Sequence, residues 1–173
     1  MHGVRWQAVL GAAALAGLVL AFGVVYFQPQ KLFINQRVDE AIPADTAPPG
    51  QAPQGSTAAP AETRLSSSTL QSLEHQSSGT VLLIRLAGGG RILRLENLAT
   101  SNGPDLRVYL STTPASTDWH GYDRDFVDLG ALKGNLGNQN YALPDSVDIA
   151  RYRSAVIWCR QFKVGFAVAP LNG

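Results

Sequence analysis

An all-β fold, a β-sandwich or partly closed barrel, is predicted from residue 65 onward, preceded by one transmembrane helix and a disordered linker. Three observations predict this. After residue 65, short apolar runs alternate with turn signals about every 8 to 15 residues, the spacing of sandwich strands. Residues 38–63 hold five of the ten prolines and no aromatic residue. Before them, the twenty residues from Ala8 to Phe27 carry no charge. The predicted units are 1–37, a membrane anchor with its juxtamembrane segment; 38–64, a Pro/Ala-rich linker; and 65–173, the β domain.

The first element reads AVLGAAALAGLVLAFGVVYF. At 1.5 Å per residue such a helix crosses the ~30 Å hydrocarbon core. Trp6 lies at one end and Tyr26 with Phe27 at the other, where an aromatic belt belongs. A cleaved signal peptide has a shorter apolar region followed by a small-x-small site. The nearest such triplet, Ala21-Phe22-Gly23, falls inside the run, which favours an uncleaved anchor. Only seven residues precede the run, and long C-terminal domains translocate largely regardless of loop charge. The expected arrangement is a single-pass protein of the cell membrane, inserted in the bilayer through residues 8–27, with the N-terminus cytoplasmic and the domain extracytoplasmic.

Within the linker, residues 39–63 are rich in Ala, Pro, Gly, Gln and Thr, and Ile42 is the one large apolar residue there. Such a chain buries too little surface to offset the entropy of ordering it.

Expected strands in the domain are 80–86, 91–98, 106–111, 126–129, 139–143, 154–159 and 162–169. Residues 65–73 read as a short helix or an edge strand. Gly88-Gly89-Gly90 supplies the positive φ of a tight hairpin, and Asn102-Gly103-Pro104-Asp105 pairs a left-handed-tolerant dipeptide with a fixed-φ proline. Asp105 is expected to bond local backbone. In the last strand Phe162, Val164, Phe166 and Val168 alternate with Lys163, Gly165, Ala167 and Ala169, which predicts one core face. Residues 154–159 are apolar on both faces, the pattern of a central strand. Asp148 is expected to cap a single helical turn.

The composition excludes several chemistries. The net charge is +1, from 14 Lys+Arg and 13 Asp+Glu without a basic cluster, so no nucleic-acid partner is expected. One cysteine excludes an internal disulfide and a Cys-x-x-Cys pair, and the one methionine is Met1, which removes a Met ligand from the domain. No nucleophile elbow or phosphate loop is found. Asp123, Asp125 and Asp128 lack the spacing of a calcium loop, and no metal site is assigned.

Read together, LEHQSSGT (73–80), RILRLENLATSNGPDLRVYLS (91–111), FVDLGALKGNLGNQNYALP (126–144) and YRSAVIWCRQFKVGFAVAPL (152–171) resemble the DM-thirteen, or electron-transfer DM, family. The ordered set of NGPDL, LKGN, Q-N-Y, IWC-x-x-F and the terminal APL carries the resemblance over about residues 70–171. An anchor followed by a Pro/Ala linker resembles bacterial members. The resemblance implies an extracytoplasmic β-sandwich, distantly related to DOMON domains, with a redox role centred on the cysteine of the IWC motif, here Cys159. It implies a redox accessory protein with a membrane or extracytoplasmic redox partner rather than a stand-alone enzyme.

A reactive thiol needs its pKa lowered by a neighbouring cation or metal. Lys163 and His75 are the residues that could approach Cys159, since Arg160 falls on the opposite strand face. No cofactor is identified; a haem or metal on the Cys159 thiolate would have His75 and His120 as its candidate partners. The competing reading makes Cys159 a core residue, because free cysteine is among the most buried residue types. The domain is then a cell-surface binding or adhesion module, with Trp119, Tyr122 and Tyr141 as stacking surfaces.

Overall fold

The computed structural model describes residues 3–27, 34–43 and 62–171. Its elements are α1 (Gly3–Phe27), β1 (Arg37–Asp39), β2 (Thr63–Thr69), β3 (Gln71–Ser72), β4 (Ser78–Arg85), β5 (Arg91–Ala99), β6 (Leu106–Ser111), β7 (Phe126–Ala131), β8 (Leu136–Leu143), β9 (Ser154–Cys159) and β10 (Val164–Pro170). The strands form two open five-stranded sheets, β1-β8-β5-β4-β2 and β3-β10-β9-β6-β7. Every pairing is antiparallel except that of β1 with β8. The domain is therefore sandwich-like, built of two open sheets, rather than the alternative of a partly closed barrel.

Helix α1 has no amphipathic face, and its Leu15, Leu18, Leu20 and Phe22 side chains are exposed. Among the described residues no helix is long and apolar enough to cross a membrane. The continuous stretch of described α1 side chains runs only from Val9 to Gly23, and the rest of the span expected over 8–27 lies outside it. Residues 28–33 and 44–61, which hold most of the expected juxtamembrane segment and linker, are also outside the described residues.

The sandwich core lies between the sheets and includes Leu83, Leu93 and Leu95 from one and Val108, Leu110 and Ile157 from the other. A second apolar cluster covers the outer face of the β9 sheet, formed by Tyr109, Tyr122, Val156, Trp158 and Val168. Strand β9 is buried at all six positions: Ala155, Ile157 and Cys159 face the sandwich while Val156 and Trp158 face the outer cluster. The central position expected for it is the one observed.

The alternation expected for the last strand is broken. Phe162 is 60% exposed and sits in a turn where Lys163 has φ 54°. The strand begins only at Val164, and a bulge between Gly165 and Ala167 shifts its register against β9. Phe166, Ala167 and Ala169 all join the sandwich core, while Val168 faces outward. Gly165 fits because a Cβ there would meet Leu73 at 2.6 Å and Trp119 at 2.9 Å. Residues 65–73 take the edge-strand alternative, supplying β2 to the edge of one sheet and β3 to the edge of the other.

The turns follow their residue chemistry. Gly89 takes φ 91° in the β4–β5 hairpin, and Asp148 accepts a hydrogen bond from the Ala150 N–H to cap the 3-10 turn Ile149–Arg151. Asp105 departs from expectation, because its carboxylate accepts from Arg160 Nε at 2.7 Å.

Residues 34–43 belong to the folded unit, although the sequence assigns them to the anchor and linker. Strand β1 pairs with β8 from Arg37↔Leu136 to Asp39↔Asn138. Asn135 accepts from the Gln36 N–H at 2.8 Å, and its amide donates to Asn35. The buried Arg94 guanidinium donates to the Glu40 carbonyl, to Asn140 and to the Glu96 carboxylate. Ile42 packs over Leu82, Ile84 and Ile92 on the outer face of this sheet. Glycine at 137 is required, since it has φ 98° and a Cβ there would run into the Val38 carbonyl. The segment holds because its polar backbone finds partners on an otherwise open edge.

Glu40 reports on this attachment. Burial raises its carboxyl pKa, but hydrogen bonds from Lys133 Nζ and the Asn140 N–H, with the charges of Lys133 and Arg94, outweigh burial and hold it below its ordinary 4.5. A carboxyl with a depressed folded pKa contributes stability that is present above 4.5 and lost as pH falls from there through the folded value. Urea unfolding against pH is expected to show that loss, and Glu40→Gln to flatten it. A chain starting at Glu62 is expected to be less stable than one starting at Ile34 by on the order of 2 kcal/mol, from lost hydrogen bonds and lost Ile42 burial.

Candidate functional site

Cys159 is the last residue of β9, and the chain turns away immediately after it. Its register partners are Leu106 on β6 and Val164 on β10. The residue is 0% exposed within the sandwich core. Leu106 also lines a cleft of about 160 Å³ bounded by Ile34, Gln36, Gly103 and Asn135. Gly103 is needed above it: a Cβ there would lie 2.8 Å from Leu106 and 3.1 Å from Phe166.

The residues that sequence brings near the thiol differ in where they lie. Arg160 is exposed and ion-paired with Asp105, and that carboxylate raises the guanidinium pKa. Lys163 lies exposed in the turn. His75 is half-buried and stacks on Phe166 with ring centroids 3.8 Å apart, which sets it against the core cluster that contains Cys159.

His120 belongs to a different neighbourhood. Its ring stacks on Trp119 at 4.2 Å and its Nδ1 lies 2.6 Å from an Asp118 oxygen. The backbone N–H and then the ring of His120 hold the exposed Asp118 carboxyl below its usual range. His75, His120 and Cys159 thus do not form one ligand set. Among the described residues no group of three or more His, Cys, Asp or Glu could hold a metal. The loop carboxylates are engaged with arginines, Asp125 with Arg151 and Asp128 with Arg107.

Two of the three aromatic residues proposed as stacking surfaces are core residues. Tyr122 is 0% exposed, and its hydroxyl accepts from the Ser116 N–H while donating to the carbonyls of that loop. Tyr141 is buried with its hydroxyl 2.8 Å from Gln139 Oε1, and burial pushes its pKa up. Trp119 alone is partly open, with its Nε1–H donating to Glu74 at 2.7 Å.

An aromatic row runs over this face, with centroid distances of 4.3 Å from Phe126 to Tyr109, 6.4 Å from Tyr109 to Trp158 and 6.2 Å from Trp158 to Trp119. Sequence alone does not find it, because its members come from β6, β7, β9 and the loop between β6 and β7. The available signal is the outward parity of Val156 and Trp158, which requires something apolar to cover them.

Residues 69–171 match the profile of the family described as Electron transfer DM13. No curated protein and no solved structure matches the chain.

A thiol buried in an apolar core tolerates loss of its sulfur better than gain of a hydroxyl. Cys159→Ala is expected to cost about 1–2 kcal/mol through the small cavity it leaves. Cys159→Ser is expected to cost about 1–3 kcal/mol more, because a hydroxyl is buried in an apolar site. Urea midpoints of the two variants measure the order, and a Ser variant as stable as Ala contradicts it.

Proposed function

The chain belongs to the DM13 electron-transfer family, and on that premise we propose that it is a membrane-tethered extracytoplasmic domain whose redox centre is the Cys159 thiol. The observation that carries this reading is that the family match over 69–171 contains one sulfur side chain, Cys159. Its place at a strand end supports the reading further, since parting of Cys159 from its register partners Leu106 and Val164 would open that end without unfolding the rest of β9. Burial keeps the resting thiol from adventitious oxidation. With hydrogen peroxide as oxidant, the thiolate attacks one oxygen, the O–O bond breaks, and sulfur loses two electrons to become S–OH while the other oxygen leaves as hydroxide and takes a proton from solvent to become water. A partner thiol then displaces water from S–OH to give a mixed disulfide, and a second thiol reduces that to restore Cys159.

The tether is part of the proposal. The uncharged sequence 8–27 and the exposed apolar side chains of α1 support insertion in the bilayer, since a helix apolar all round is stable only when covered. The N-terminus is then cytoplasmic and the domain lies outside.

A second reading is favoured by the complete burial of Cys159: the cysteine is structural and the domain is a cell-surface binding module. Dimedone trapping on the full chain, with hydrogen peroxide and mass spectrometry, separates the two. The redox reading expects a sulfenic acid adduct on Cys159 in folded protein, whereas an adduct formed only in denaturant favours the binding module. In cells, the chain is expected to resist alkaline extraction from membranes, and protease added to spheroplasts is expected to remove the domain. A protected domain would reverse the topology.

A further inference from the structure

We propose that the end of the sandwich remote from β1 holds a binding site for a small anionic amphiphile, a carboxylate or phosphate carried on an apolar body and taken from the aqueous side. A cavity of about 690 Å³ opens there, lined by the β4–β5 hairpin, the start of β2, the 3-10 turn and the end of β10. Its volume lies within the roughly 300–1,000 Å³ of small-molecule sites. The apolar part of the wall is made by Leu83, Ile149, Tyr152 and Leu171, of which Leu83, Tyr152 and Leu171 belong to the sandwich core.

The charge on the wall is lopsided. Arg85, Arg91 and Arg153 line the cavity, and among the described residues Asp148 is the one carboxylate that does. Arg91 is already committed, donating through Nη2 to the carbonyls of Pro144, Asp145 and Val147. Asp148 is held by the Ala150 N–H. The side chains of Arg85 and Arg153 have no hydrogen bond or ion pair among the described residues. Two uncommitted guanidinium groups at the mouth of a part-apolar cavity provide the forked donors that carboxylates and phosphates accept. A neutral or cationic ligand would leave that charge unanswered.

Position supplies the direction of access. Arg91 pairs with Leu143 at the cavity end of the sheet, while Ala99 pairs with Leu136 at the end where Gln36 is held. The nine residues of β5 separate those ends by about 27 Å at 3.4 Å per residue. The cavity thus opens away from the end where the chain coming from α1 first joins the sheet, at Gln36. It does not depend on Cys159.

The test titrates the full chain in phosphatidylcholine nanodiscs with sodium 4-phenylbutyrate, read by calorimetry against empty nanodiscs. Saturable binding at one site is expected, with 4-phenylbutanol weaker. Arg85→Gln combined with Arg153→Gln is expected to weaken binding by at least roughly tenfold, the worth of one charge-assisted hydrogen bond. Both side chains are exposed, so unchanged circular dichroism is expected to show the variant folded. Uptake equal to that of empty nanodiscs, or an affinity indifferent to the two arginines, would overturn the site. Displacement of phenylbutyrate by phosphatidylglycerol placed in the nanodisc would overturn the aqueous source.

Discussion

Strand β9 has no solvent face, and the rest of the domain is arranged around that constraint. Ala155, Ile157 and Cys159 need the opposing sheet, while Val156 and Trp158 need a cover on the other side. A two-layer sandwich supplies only the first. The loop between β6 and β7 supplies the second: it folds back so that Tyr122 is fully buried and Trp119 leans on the cluster. The hydrogen bonds of the Tyr122 hydroxyl to the loop's own backbone let a polar group enter that cluster without an unmet partner. What looks like a binding loop on composition is the lid of a second core.

The same constraint shapes the chemistry open to Cys159. A thiol at the end of a doubly buried strand is shielded by packing, and the neighbouring cation, Arg160, is turned outward into an ion pair. Any reaction at sulfur must begin with local opening, so its rate is tied to the stability of the β6, β9 and β10 ends rather than to the acidity of the thiol in the closed state. Redox function and structural function at this residue therefore differ in how often one strand end parts.

Much of the sandwich was legible because period-two patterns and turn chemistry are local. The boundaries of β5, β6 and β9, the Gly88–Gly90 hairpin and the Asp148 cap all rest on residues within a few positions of one another. The bulge in β10 was not legible, since the alternation of Phe162 through Val168 is intact in sequence and is broken by Lys163 adopting positive φ and by the close approach of Leu73 and Trp119 to Gly165. Docking of residues 34–43 was hidden for another reason. Three of its strongest anchors, Arg94, Asn135 and Asn140, are far along the chain, and the segment itself carries one large apolar residue in its last positions, Ile42. At Cys159, its identity and strand were legible, whereas the outward turn of Arg160 required the pairing with Asp105.

The attachment of β1 to β8 also has a meaning in time. Gln36 and Asn135, which bond to each other, are ninety-nine residues apart in the chain. Such a contact closes one of the longest loops in the domain, and long loops close late because their entropy must be lost before the contact rewards it. During synthesis the segment leaves the ribosome first, yet it has no partner until β8 has followed. Its polar character, with Asn35, Gln36, Arg37, Asp39 and Glu40 in succession around one valine, suits a strand that must wait in water. The strand made first must wait for a partner made about a hundred residues later.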